Sequence, residues 1–253
     1  VNERQKGYIS GIILAVLLVL RYGDSFLSFF IPNAQIGPFL QSMIYITIFL
    51  LMIIAIWINK TRLNALNLDK IAYMLTLVVS TILGLILTPY IIGAILLIAV
   101  GIFIYLGHNR SFHYSKPNLS PIYIMPPVML IFLPFLIYAF FSPTFRINVR
   151  SLGAVQTALI NVNIFTVIFE EFLFRGLLWD YLSARSLQSG KVIAIQALLF
   201  WLAHIPSVFD EWFFFWITLP FVSVMLGVLI YRSKSLTVTI TTHFLYNFIV
   251  GLL

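Results

Sequence analysis

The chain has 253 residues, 61% of them hydrophobic and only 9% charged, with a mean hydropathy of +1.04. A water-facing surface needs far more charge than this, so a soluble globular domain is excluded and a multi-pass membrane protein is expected, with the lipid bilayer as its first partner. The net charge of +7 does not point to nucleic acid, because the basic residues stand singly between apolar runs instead of clustering on one face. Cysteine is absent, which removes disulfides, thiolate nucleophiles and thiolate metal ligands.

A bilayer core takes roughly 17 to 25 apolar residues per helix. In chain order the candidate spans are residues 7–20, with an extension to 31 left open, then 38–58, 71–87, 90–106, 122–141, 159–179, 192–206, 212–231 and 236–253. The expected fold class is therefore all-α, a polytopic integral membrane protein with eight to nine transmembrane helices. The count turns on the first run, short before Arg21, and on the third and fourth, separated only by Thr88 and Pro89. The first run is followed by Arg21-Tyr22-Gly23-Asp24 and not by a small-residue cleavage site, so it is expected to be retained, with Arg21 and Asp24 interfacial.

A cytoplasmic N-terminus at the cell membrane places Arg4, Lys6, Lys60, Arg62, Lys70, Arg110, Lys116, Arg185, Lys191, Arg232 and Lys234 inside. Only Arg21, Arg146 and Arg150 fall outside, a clear positive-inside bias. The loop at 108–121, with Pro117 and Pro121, divides an N-terminal helical half, 1–121, from a C-terminal half, 122–253. Pro126, Pro127 and Pro134 are expected to kink the fifth span, since each removes a backbone donor. Trp212 to Trp216 read as an interfacial aromatic belt, and Gly227 as a point of close helix packing.

Charge inside the apolar runs is concentrated in the second half. In the sixth span Glu171 and Arg175 are i,i+4 and able to pair on one face, while Glu170 is rotated by about 100° and has no helical partner. His204 closes Phe200-Trp201-Leu202-Ala203-His204 in the seventh span, and His243 and Asn247 share a face of the ninth. Measured from Asp180, Lys191 and Lys234 at 1.5 Å per residue, Glu170 lies roughly 15 Å deep, His204 roughly 20 Å, His243 roughly 13 Å and Asn247 roughly 20 Å. A carboxylate, two imidazoles and a carboxamide thus share one buried layer, enough to activate water and to stabilise an oxyanion. The plainer reading of Glu171 and Arg175 is a structural ion pair, which is compatible with a catalytic layer beside it.

Glu170-Glu171-x-x-x-Arg175, Phe200-x-x-x-His204 and His243-x-x-x-Asn247, in this order on separate late helices, resemble the CPBP family, also called Abi. That family of intramembrane proteases includes type II CAAX prenyl endopeptidases and bacteriocin-processing or self-immunity proteins. The three motifs cover residues 159–253; the first half carries no matching motif. The resemblance implies that Glu170, with His204, activates the attacking water, that His243 and Asn247 stabilise the oxyanion, and that Glu171 and Arg175 hold the site in shape. It implies an endopeptidase acting on a membrane-associated peptide or protein, of CAAX or leader-peptide type. No cofactor is expected: Glu, His, His and Asn could ligate a divalent cation such as zinc, but no HExxH helix is present and asparagine is a poor zinc ligand. The rival from another class is a non-catalytic self-immunity or scaffold protein of the same fold. A proton-coupled carrier relaying through Glu170 is a third reading, weakened by the lack of an inverted repeat.

Overall fold

A computed structural model describes residues 3–30, 120–141, 164–210 and 212–252, with isolated positions 47, 51, 54 and 58. Every regular element among them is helical. The expected spans at 71–87 and 90–106, nearly all of that at 38–58, and most of the boundary loop lie outside the described residues. The helices are α1 (Glu3–Phe30), α2 (Pro121–Ile131), α3 (Leu133–Phe141), α4 (Ile164–Glu171), α5 (Trp179–Ser183), α6 (Ser189–Leu202), α7 (Ser207–Asp210), α8 (Leu219–Ser233) and α9 (Leu236–Leu252). Two π-helical segments join them, Phe172–Leu178 between α4 and α5 and Phe214–Thr218 before α8.

Helix α1 takes the longer bound of the first run: it continues unbroken to Phe30, so Arg21 stands inside a helix. Among the described residues Phe214–Ser233 is the helix long and apolar enough to cross a membrane, with shorter apolar helices at Gly7–Gly23, Ser189–Leu202 and Leu236–Val250. The number of spans therefore rests on the apolar runs of the sequence.

The fifth expected span is two helices. The break falls at Phe132, whose N–H turns back to Met129 O at 3.2 Å, while Pro126 and Pro127 lie within continuous helix. Pro134 accounts for the position: it has no N–H to offer Leu130 O, and its ring crowds that carbonyl. Ile122, Met129, Phe140 and Phe141 project outward from this pair, a surface suited to hydrocarbon. The 212–216 aromatic run divides as well. Trp212 and Trp216 are exposed, whereas Phe215 is buried and its carbonyl accepts the Trp201 Nε1–H at 2.8 Å.

The core is built around the π-helical segment 172–178, every residue of which is buried. Leu14 and Leu17 of α1, Phe200 of α6 and Leu236 of α9 pack into the same cluster. Helix α8 approaches α6 closely at Gly227: a Cβ there would collide with Gln196 Nε2 and come within 3.0 Å of Ile193 Cγ2. Gln196 is fully buried and, among the described residues, neither carboxamide atom has a hydrogen-bond partner. Gly227→Ala is expected to destabilise by about 1–3 kcal/mol through overpacking. Thermal unfolding in detergent reads the loss, and Gln196→Ala in the same chain should recover part of it. A Gly227→Ala midpoint equal to wild type would mean that the helices separate without cost.

Candidate active site

The site begins with two adjacent carboxylates at the end of α4. Glu170 is 2% exposed and Glu171 0%, so each needs a compensating partner, and the structure supplies different ones. Arg175 Nη1 donates to Glu171 Oε1 at 3.0 Å, one turn along, and its Nη2 donates to Ser223 O of α8 at 3.2 Å. The guanidinium carbon lies 4.3 Å from the centroid of Phe200, adding a cation–π contact to a charge-assisted bond. On α9, His243 Nδ1 meets the same Glu171 Oε1 at 2.9 Å. Since the carboxylate accepts, that nitrogen carries the proton.

Glu170 is served by Arg21, whose Nη2 donates to Oε1 at 2.7 Å. The sequence reading missed this partner. Two signals pointed to it: two adjacent buried acids need more than one cation, and the first run, extended to 31, carries a helix through Arg21. His204 Nε2 faces the same Oε1 at 3.6 Å, too long for a direct hydrogen bond and close enough for one water beside the pair to reach both. Both contacts fall on Oε1, and Oε2 takes neither.

The position of His204 follows from how α6 stops. The helix ends at Leu202, earlier than the expected 206, because Pro206 cannot continue the ladder and the last turns tighten: His204 N bonds to Trp201 O at 3.0 Å and Ile205 N to Leu202 O at 3.2 Å. This deprives Phe200 O of its helical donor. The His204 ring folds back and its Nδ1–H donates to that carbonyl at 2.9 Å. In the neutral ring Nδ1 is then the protonated nitrogen, and Nε2 presents a lone pair toward Glu170.

Phe200 is the hub of the arrangement. Its ring centroid is 4.8 Å from that of His204, 5.7 Å from that of His243 and 5.4 Å from that of Phe174. The structure thus gathers two groups, Glu170 with His204 and Glu171 with Arg175 and His243, and His204, Arg175 and His243 all lie against this ring. Asn247 is half-buried one turn beyond His243, and among the described residues no hydrogen bond joins it to the other site residues. The π-helical turn that follows Glu171 and contains Arg175 is a feature often found at functional sites.

Among the described residues no group of three His, Cys, Asp or Glu side chains could hold an ion. A guanidinium already occupies Glu170 Oε1, and His243 Nδ1 is committed to Glu171.

Comparison with known proteins supplies one match. Residues 153–249 match a family model described as Type II CAAX prenyl endopeptidase Rce1-like. No curated protein and no solved structure matches the chain. The matched segment contains Glu170, Glu171, Arg175, His204, His243 and Asn247, while Arg21 lies outside it.

Proposed function

We propose that this chain, whose residues 153–249 are the Rce1-like segment that ties it to the membrane-embedded CPBP proteases, is an intramembrane endopeptidase that hydrolyses a peptide bond without a metal. The observation that carries the reading is the 3.6 Å gap between Glu170 Oε1 and a His204 Nε2 whose lone pair is set by the Phe200 carbonyl. A water hydrogen-bonded to both groups from beside the pair gives a proton to Glu170 as its oxygen attacks the scissile carbonyl carbon. The same proton passes to the leaving amine when the C–N bond breaks, releasing a carboxylic acid and an amine and returning Glu170 to its carboxylate.

The oxyanion falls to His243 and Asn247. Nδ1–H of His243 is taken by Glu171, so the nitrogen left to face an oxyanion is Nε2. Asn247 donates through its amide. Arg175 completes the balance by donating to the same oxygen of Glu171. The family description makes a prenylated C-terminal peptide the first substrate class to test, with an unmodified leader peptide second. The N-terminus is taken as cytoplasmic from the distribution of basic residues.

Quenched fluorescent peptides, plain and prenylated, offered to the detergent-purified protein test the reading. Cleavage by wild type, unaffected by a chelator and reduced by about 10² to 10⁴ in His204→Ala, is the expected result. Full activity of His204→Ala would sink the glutamate–histidine mechanism, and loss on chelation would sink the metal-free one. The non-catalytic self-immunity or scaffold reading draws on one observation, that Glu170 Oε1 is already engaged by Arg21. Cellular protection that survives His204→Ala, with no cleavage by wild type, would select it.

A further inference from the structure

Helix α1 contributes two consecutive side chains to the site. Arg21 reaches Glu170 Oε1 at 2.7 Å, and the Tyr22 hydroxyl donates to Leu199 O at 2.7 Å, one residue before the carbonyl that orients His204. Both members of the water-activating pair are therefore braced from one helix, 149 residues away from Glu170 in the chain and outside the Rce1-like segment. The Arg21 side chain is 13% exposed and that of Glu170 3%, so their attraction is little screened by solvent. The hydrophobic anchorage is close by: Leu14 and Leu17 are buried in the same core cluster as the π-helical turn. At Gly11 a Cβ would lie 3.1 Å from the Tyr181 ring, so α1 also sits tightly against α5.

We propose that Arg21 is a positioning residue of the active site, which keeps Glu170 as a carboxylate and directs it so that Oε1 faces His204 Nε2. Among the described residues, four other charged or titratable groups lie near Glu170. His204 faces it from the turn after α6, His243 from α9, Arg175 from the same helical stretch, and Glu171 follows it. Arg21 is the member that donates to it within hydrogen-bond distance. Tyr22 fixes the end of α6 at the matching height. The catalytic half thus depends on a residue from the first helix.

The catalytic consequence rests on the reading of Glu170 as base, but the chemical state of Glu170 can be measured without turnover. Dicyclohexylcarbodiimide enters membranes and modifies carboxyl groups in their protonated form. Purified wild type, Arg21→Met and Arg21→Lys are treated at neutral pH, the adduct at Glu170 is located by mass spectrometry, and Glu170→Gln serves as the blank. Wild type is expected to resist labelling at Glu170, Arg21→Met to label at least about tenfold faster, and Arg21→Lys to regain most of the resistance. Equal labelling of wild type and Arg21→Met overturns the proposal. So does ready labelling of wild type, which decides the matter even if Arg21→Met fails to fold.

Where turnover is present, Arg21→Met should lower kcat by about tenfold or more with KM within about threefold, and Arg21→Lys should restore most of kcat. An unchanged kcat in a well-folded Arg21→Met also overturns it. Should wild type cleave nothing while the labelling pattern holds, the protease reading fails and the pairing of Arg21 with Glu170 stands.

Discussion

Glu170→Gln is expected to remove about 10² to 10⁴ of the cleavage rate while leaving a folded, membrane-inserted protein. The substitution keeps the size of the side chain, and its amide oxygen can still accept from Arg21 Nη2, which reaches Glu170 at 2.7 Å in the native site. What it cannot do is take a proton from water. The ring of His204 cannot replace it alone, because its Nδ1–H is tied to Phe200 O and its remaining nitrogen is 3.6 Å from Glu170 Oε1. If the two act as a unit on one water, adding His204→Ala to Glu170→Gln should cost little more than either single change. Initial rates for the two single variants and the double read this directly. Multiplicative losses would assign the residues to separate steps, and wild-type rates from Glu170→Gln would end the glutamate mechanism.

Arg175→Met should damage stability more than any other change in the site, by about 3–5 kcal/mol, because it leaves a buried carboxylate without its cation. Glu171 is completely inaccessible, and among the described residues its Oε2 already lacks a hydrogen-bond partner and its Oε1 would retain only His243. The same substitution removes the donor to Ser223 O and the stacking contact over Phe200, so α4, α6 and α8 lose a shared point of attachment. Thermal unfolding and the fraction of monodisperse protein after detergent extraction measure the loss. Arg175→Met with Glu171→Gln should recover part of it, since the orphaned charge is gone although the stacking is not. A single variant as stable as wild type would show that this pair is not what holds the helices together.

Much of the second half could be read from residues alone. Hydrocarbon demands uninterrupted apolar runs, and those at 192–206, 212–231 and 236–253 appear as helices with ends shifted by a few residues. The Glu171–Arg175 pair follows from i,i+4 spacing and forms at 3.0 Å, although Arg175 lies in a π-helical turn. The three motifs that carry the family resemblance fall within the segment that matches Rce1-like proteins. Each of these properties depends on neighbours within a few positions, or on the solvent that a segment faces.

What the tertiary structure alone decided is which partner each of those groups meets. The π-helical register of 172–178 is a shift in backbone hydrogen bonding with no compositional mark. His204 left the helix because Pro206 tightened its last turn, and only there can its ring cap Phe200 O. His243, placed by depth in one layer with Glu170, bonds to Glu171 instead, because a rotation of about 100° between adjacent helical residues sends the two acids toward different helices. Arg21 is the clearest case. Its charge was visible in the sequence, but the pairing joins residues 149 positions apart, and a contact of that range exists only once the packing of Leu14 and Leu17 has fixed where α1 lies.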